Sequence, residues 1–226
     1  MDVTTNIQEN INLMHSHLVI DKSYDIVERK IVVANRDAVI YFLNGFIKDA
    51  IMEDIINTCF HIDVETMNSY NTAEDFANHK IHHVSVETQK DLDKIISGLL
   101  KGQTIMYIDG YDSFIILDLR TYPGSDSSKP EKEKTLRGGR DGFIEKLVFN
   151  SAFIRRRIRD PRLVFEIHPV GDVSKTDVCL AYLDGVADKK VHDLIVDSLF
   201  LKHCKSNKKN APSDKFSYFF LIYINI

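Results

Sequence analysis

Apolar residues in this chain fall into two patterns, short unbroken runs and positions three or four apart. Ala38-Val39-Ile40-Tyr41-Phe42-Leu43 is such a run, rich in branched and aromatic residues, and it ends at Asn44-Gly45. It predicts a buried strand followed by a turn. Ile47, Ile51, Ile55 and Ile56 then recur at helical spacing and predict a helix from Ile47 to Cys59. Residues 61–86 are poorly periodic, and only Ile81 to Val86 reads as a short strand. Thr88 to Leu100 reads as a helix with Leu92, Ile95, Ile96, Leu99 and Leu100 on one face, stopped by Gly102. Thr104 to Ile108, the Asp109-Gly110 turn and Ser113 to Leu119 predict a β-hairpin. Ahead of all this, residues 1–28 are polar, with a weak apolar pattern at Ile11, Leu13, Met14 and Leu18, and read as a loose helix or a tail.

The second half opens with TYPGSDSSKPEKEK, Thr121 to Lys134, which collects Pro, Gly, Ser and charge and has little to bury. A helix is expected from Arg140 to Ile158, with Phe143, Ile144, Leu147, Val148, Ala152, Ile154 and Ile158 supplying the apolar positions. Asp141 and Glu145 sit near its start and Arg155, Arg156 and Arg157 in its last turn, as the helix dipole favours. Asp160-Pro161 stops it. Strands follow at Leu163 to Ile167 and Asp177 to Leu183, joined by a loop through Gly171. Asp184-Gly185 turns the chain into a helix from about Asp188 to His203. The end is atypical: Lys202 to Lys215 is polar and basic, and Phe216 to Ile226 is almost wholly apolar. That last run reads as a final buried strand or as an out-of-frame scar.

These elements predict an α/β fold with α+β character, two small mixed-sheet subdomains joined by a Pro/Ser/charged linker. The expected divisions are a tail over 1–28, a first subdomain over 29–120, a linker over 121–134, a second and incomplete subdomain over 135–203, and the tail 204–226. A shift of 140 residues lays Asp37 to Gly45 on Asp177 to Gly185, with Ile51 on Val191 and Ile55 on Ile195. Met106 to Gly110 is a shorter third instance. Strand-turn-helix units converge on such patterns because turns need glycine, but the length of the match favours an internal duplication.

Composition changes the picture little. With 226 residues, 44% of them hydrophobic and 27% charged, the chain can bury one large core or two small ones. A net charge of -4 argues against a protein that coats nucleic acid. Locally, Lys129 to Arg162 carries eleven Lys/Arg against five Asp/Glu. Cys59, Cys179 and Cys204 are widely spaced, form no CxxC pair and read as thiols in a reducing compartment. The first residues, MDVTTNIQENINLM, are polar and acidic and do not read as a signal peptide, and no run approaches the ~20 apolar residues of a membrane span.

The candidate chemistry is sparse. Arg155, Arg156, Arg157, Arg159 and Arg162, with Arg137 and Arg140 flanking Gly138-Gly139, could bind phosphate or carboxylate through their forked guanidinium groups. The plainer alternative is a capped helix end with arginines paired to acids or solvated. His79, His82 and His83 do not converge as metal ligands if they lie on a strand. Val170 to Thr176 ends in Lys-Thr but lacks the Gly-x4-Gly-Lys spacing of a phosphate loop. No nucleophile elbow or isolated carboxylate pair is present. No enzyme, cofactor or metal site is expected.

One resemblance adds function. GRDGFIEKL at Gly139 to Leu147, Asn150, IRRRI at Ile154 to Ile158, and VGDVSKTDVCLAYLDGVAD at Val170 to Asp188 resemble the cytosolic N-terminal region of A subunits of GerA-type spore germinant receptors. The likeness is faint near Asn35-Arg36-Asp37 and dense from Gly102 to about Leu199. It implies two α/β subdomains ahead of membrane helices, at the cytosolic face of the spore inner membrane, working with B and C subunits in nutrient-triggered germination. By the same resemblance the candidate partner or ligand contacts are Arg137, Gly138, Arg140, Glu145, Asn150, Arg155, Arg156, Arg157, Lys175 and Thr176. Beyond Leu199 the likeness stops, which implies truncation before the membrane helices. The expected function is a non-catalytic sensory and assembly module. The alternative is a stand-alone, soluble cytoplasmic protein of two lobes that binds a small, anionic ligand between them.

Overall fold

The computed structural model describes residues 3–121, 143, 145–171, 175–201 and 219–223, with side chains as far as Leu199. The linker and the loop Arg137 to Arg140 lie outside the described residues, as does most of the tail. The expected α/β class is what is observed, in two sheets.

The first sheet has the order β1-β2-β4-β5-β3. Its strands are β1 (Ile26–Val33), β2 (Arg36–Leu43), β3 (Val86–Gln89), β4 (Thr104–Ile108) and β5 (Phe114–Leu117). All its pairings are antiparallel. Helices α2 (Asp49–Phe60), α3 (Val64–Ser69) and α4 (Ala73–Lys80) cover one face around Ile40, Met106 and Ile115. Helices α1 (Ile7–His17) and α5 (Leu92–Leu100) cover the other around Tyr41, Ile105 and Ile116. With both faces covered, β4 and β5 are buried at every position. That is why their sequences run apolar without alternation.

The structure departs from the sequence expectations in the first thirty residues and in residues 61–86. Of the two alternatives for the start of the chain, residues 7–17 take the helical one, as a capped and packed helix. Asn6 caps it by accepting from the backbone N–H groups of Gln8 and Glu9. Asp109 Oδ1 accepts from the Ile7 N–H at 2.9 Å, and Met14 is fully buried. The first strand begins at Ile26, before the expected start of the ordered unit. In the aperiodic stretch, α3 and α4 are too short to show periodicity, but Asp63 and Thr72 cap them. The strand expected at Ile81 to Val86 lies at Val86–Gln89.

The second sheet has the order β6-β7-β8, with β6 (Leu163–Val170), β7 (Thr176–Leu183) and β8 (Phe219–Tyr223). Helix α6 (Leu147–Arg157) packs on one face through Ile154 against Leu163, Phe165, Cys179 and Ala181. Helix α7 (Lys189–Leu201) meets the opposite face, where His192 reaches Glu166. The apolar end of the chain therefore supplies a strand.

The sequence echo becomes a repeat of structure. Eight residue pairs join β1 to β2 and eight join β6 to β7. Asn44 N–H donates to Asp25 O at 2.7 Å, and Asp184 N–H donates to Arg162 O at 2.8 Å, closing the two hairpins in the same way. Gly45 and Gly185 follow with φ of 84° and 75°. In the first unit β2 pairs with β4, Ala38 opposite Ile108, and in the second β7 pairs with β8, Val178 opposite Tyr223. So β8 holds, against β7, the register that β4 holds against β2.

The two equivalent glycines differ in surroundings, which yields a paired prediction. A Cβ on Gly185 would meet nothing within 4 Å, whereas one on Gly45 would stand 2.8 Å from Val148 Cγ1 and 3.2 Å from Val148 O. Gly185→Ala is expected to cost about 1–2 kcal/mol, the left-handed penalty alone. Gly45→Ala is expected to cost at least about 1 kcal/mol more, because α6 must shift. Urea unfolding of the two variants measures the difference.

Candidate functional site

Helix α6 directs the three consecutive arginines of its last turn differently. The buried positions Ser151, Ala152, Ile154 and Arg155 define one face. Arg155 has no exposed surface, while Arg156 and Arg157 are exposed. The guanidinium of Arg155 grips Asp25 in a fork, Nε to Oδ2 at 2.8 Å and Nη2 to Oδ1 at 3.0 Å. Nη1 also donates to Asp160 O at 3.1 Å and Nη2 to Leu163 O at 2.8 Å. Beneath it lies the Phe165 ring, 5.2 Å from Cζ to centroid.

Asp25 is held from its own side. Ser23 Oγ donates to Asp25 Oδ1 at 2.6 Å and accepts from the Phe165 N–H at 2.9 Å. Tyr24 N–H donates to Phe165 O at 3.1 Å, and the Tyr24 hydroxyl bonds Ser151 Oγ. Ser23-Tyr24-Asp25 thus clasps the second unit, with the Lys22–Asp184 pair at 2.6 Å on the rim. Arg155, one of the residues expected at a contact surface, is placed in the joint between the units.

The other candidates are dispersed. Arg137, Gly138 and Arg140 lie outside the described residues. Glu145 is exposed ahead of α6, and Asn150 is buried within it. Lys175, at φ 46°, and Thr176 stand at the far tip of the β6–β7 hairpin. Eight residues of β6 separate that tip from Leu163, where Arg155 docks. A strand of that length spans roughly 25 Å. Arg156 and Arg157 therefore do not share a site with Lys175 and Thr176.

A second polar cluster, absent from the sequence reading, lies between the second sheet and α7. Glu166 Oε1 stands 3.0 Å from His168 Nε2, and Oε2 stands 2.9 Å from His192 Nε2. The Tyr182 hydroxyl donates to Oε2 at 3.2 Å. Burial pushes against both charges of the pair. The contacts with His192 and His168 outweigh it and hold the Glu166 carboxyl below its ordinary range, while bonds to Glu166 and Asp193 hold the His192 imidazole above its own. The register Glu166 opposite Leu180, with Tyr182 two residues on, puts three of these groups on one face, but no motif in the sequence announces them.

Elsewhere a cavity of about 660 Å3 opens on the outer side of α2 and α4, lined by Asp54, His61, Asp63, His79, Lys80 and His82, among others. No group of three or more metal-ligating side chains is gathered among the described residues. The thiols of Cys59 and Cys179 are buried and pushed up to about 12, which leaves them protonated and unreactive at neutral pH. Among the described residues, no helix is long and apolar enough to cross a membrane.

Breaking the buried pair from one side strands a charge. Arg155→Ala is expected to lower stability by about 3–5 kcal/mol, and Asp25→Ala by a similar amount. Arg155→Met combined with Asp25→Leu is expected to recover much of that loss, because no charge is then left unpaired. Chemical denaturation of the three variants tests this.

Residues 14–200 match the model of a family described as Bacillus/Clostridium GerA spore germination protein. Stage V sporulation protein AF of Bacillus subtilis is 31% identical over 193 residues, 85% of this chain and 39% of that protein. Spore germination protein KA of the same organism is 28% identical over 184 residues, 80% of this chain and 34% of that protein. The chain thus spans well under half the length of these relatives. Among solved structures, the N-terminal domain of the A subunit of the Bacillus megaterium spore germinant receptor GerK3 shares the fold, with a TM-score of 0.68 at 22% identity, over 88% of this chain and 72% of that one. The match over most of its length establishes that this chain belongs to the GerA family of spore germination proteins.

Proposed function

We propose that this chain is a non-catalytic sensory and assembly module acting in spore germination, at the cytosolic face of the spore inner membrane. The observation that carries the reading is the family match across residues 14–200, which includes the first sheet, the β6–β7 hairpin of the second and the joint between them. In this reading the module belongs to an A subunit and engages B and C subunits. Its contact surface is the exposed end of α6, where Arg156 and Arg157 face outward while Arg155 is engaged internally. Guanidinium groups on a rigid helix suit paired carboxylates on a partner, since each can donate two parallel bonds. Arg137, Gly138 and Arg140 belong to the same proposed surface by their place in the sequence.

Binding of a small ligand is a second reading, and it places the ligand between the two units. The joint there is filled by Arg155, Tyr24 and Phe165, and the cavity described above lies away from it, between α2 and α4. Assembly is therefore the better supported of the two.

Combined Arg156→Glu and Arg157→Glu substitution is made at exposed positions, and the variant is first checked to be folded by chemical denaturation. It is expected to weaken co-purification with B and C subunits by about tenfold or more, since reversing rim charges turns attraction into repulsion. Undiminished co-purification of the folded double variant overturns the contact surface.

A further inference from the structure

Comparison of the two repeats isolates one difference in how their helices are held. Helix α2 is fastened to the first sheet by apolar contact, with Met52, Ile55, Ile56 and Cys59 all buried and Met52 in the same cluster as Ile31. The hairpin registers map Ile31 onto His168, Ile40 onto Leu180 and, at the 140-residue shift, Met52 onto His192. At the positions of Ile31 and Met52 the second unit thus carries two imidazoles sharing one carboxylate, Glu166, beside the buried apolar residues Val164, Val178 and Leu180 on the same face of the sheet. Among the described residues of α7, Val191, Ile195, Val196 and Leu199 are half-buried. None of its described side chains, residues 189–199, is buried, and Leu194 is 63% exposed.

We propose that Glu166, His168 and His192 form a proton-operated latch, which holds α7 on the second sheet while the His192 ring is protonated and loosens it when the ring is neutral. Protonated, His192 donates from Nε2 to Glu166 and from Nδ1 to Asp193, 3.1 Å away. A neutral ring keeps one N–H and loses its charge, so one bond and the ionic attraction go together. The facing groups are Glu166 and His168 on β6, Tyr182 on β7 with its hydroxyl on Glu166 and its ring 4.9 Å from that of His192, and Asp193 on α7. Asp184 acts on the Tyr182 end of the cluster, and Cys179, on the other face of β7, is a protonated thiol.

The sign follows from the two shifts. His192 is held above its ordinary value, so its stabilisation is complete below the unfolded value and is lost as pH rises through the folded one. Glu166 is held below its ordinary value, so its stabilisation is present above the unfolded value and is lost as pH falls through the folded one. The latch is closed between these limits, and near neutrality His192 is the group that opens it. The device rests on the repeat comparison and stands apart from the contact surface of α6.

The test is amide hydrogen exchange of the whole chain at about pH 6 and about pH 8, corrected for intrinsic exchange, with α7 read against β6 and β7. Protection of α7 is expected to fall about three- to fivefold relative to the sheet at the higher pH, the scale of an ion pair of this exposure. His192→Met, which installs the residue of the first repeat, is expected to keep α7 protected at both pH values. Where that variant does not fold, His192→Gln, which keeps a donor and cannot titrate, carries the same comparison. Equal α7 protection at both pH values in the unsubstituted chain overturns the proposal. So does an undiminished pH dependence in the folded variant.

Discussion

The architecture depends on one buried ion pair. Arg155 and Asp25 are both withdrawn from water, and each charge is tolerable only because the other is there. The pair is also the centre of a larger satisfaction of polar groups, since the two ends of the guanidinium fork reach the carbonyls of Asp160 and Leu163. Those carbonyls belong to the turn that leads from α6 into β6. One side chain thereby fixes the clasp of the first unit, the end of a helix and the start of a strand in the second. A well-packed apolar substitute would suit stability as well, but it would not specify the angle of approach as the forked pair of bonds to Asp25 does, with the guanidinium itself fixed by Asp160 O and Leu163 O.

Around that joint the chain uses one plan twice. A hairpin of eight paired residues, an Asn/Asp-Gly turn and a helix recur with the same closing hydrogen bond, and an antiparallel neighbour is then added at the same register. What differs is the filling. The first repeat is enclosed by helices on both faces and has a large apolar core. Among the described residues the second has a smaller one, with Ile154, Leu163, Phe165, Cys179 and Ala181 on one face of its sheet and Val164, Val178 and Leu180 on the other. At the positions equivalent to Ile31 and Met52 the second repeat uses polar contacts, His168 and His192 on Glu166, where the first uses apolar ones.

Much of the fold was legible because its central strands are buried on both sides. Runs such as Ile105 to Ile108 in β4 and Phe114 to Leu117 in β5 have no polar register to confuse, and the glycines at 45, 102 and 185 mark turns that need positive φ. Helices α3 and α4 were hidden because six and eight residues show too little period. Their caps, Asp63 with Thr66 and Thr72 with Asp75, were the available signal. For the candidate site, the run of arginines was visible, but not which of them turned inward. Helical spacing from Ser151 to Arg155 to Ile158 was a clue to the buried face. The identity of the acid that meets it was not, since Asp25 lies in a stretch without periodicity. The groups gathered around Glu166 come from three elements, β6, β7 and α7, and had no spacing to betray them.

The separation of Asp25 from Arg155 along the chain, 130 residues, bears on the order in which the molecule is made. All five strands of the first sheet have been synthesised by Leu117, long before α6 emerges. Until then Asp25 has no guanidinium to meet, and a carboxylate without a partner remains in water. The backbone of Asp25 is already held by the Asn44 N–H, but its carboxylate lacks the guanidinium while the sheet beside it is complete. Pairing of that carboxylate with Arg155, the bonds of Ser23 and Tyr24 to Phe165 and the docking of the second unit are therefore one step, so this patch of the N-terminal unit is finished only when the C-terminal one arrives.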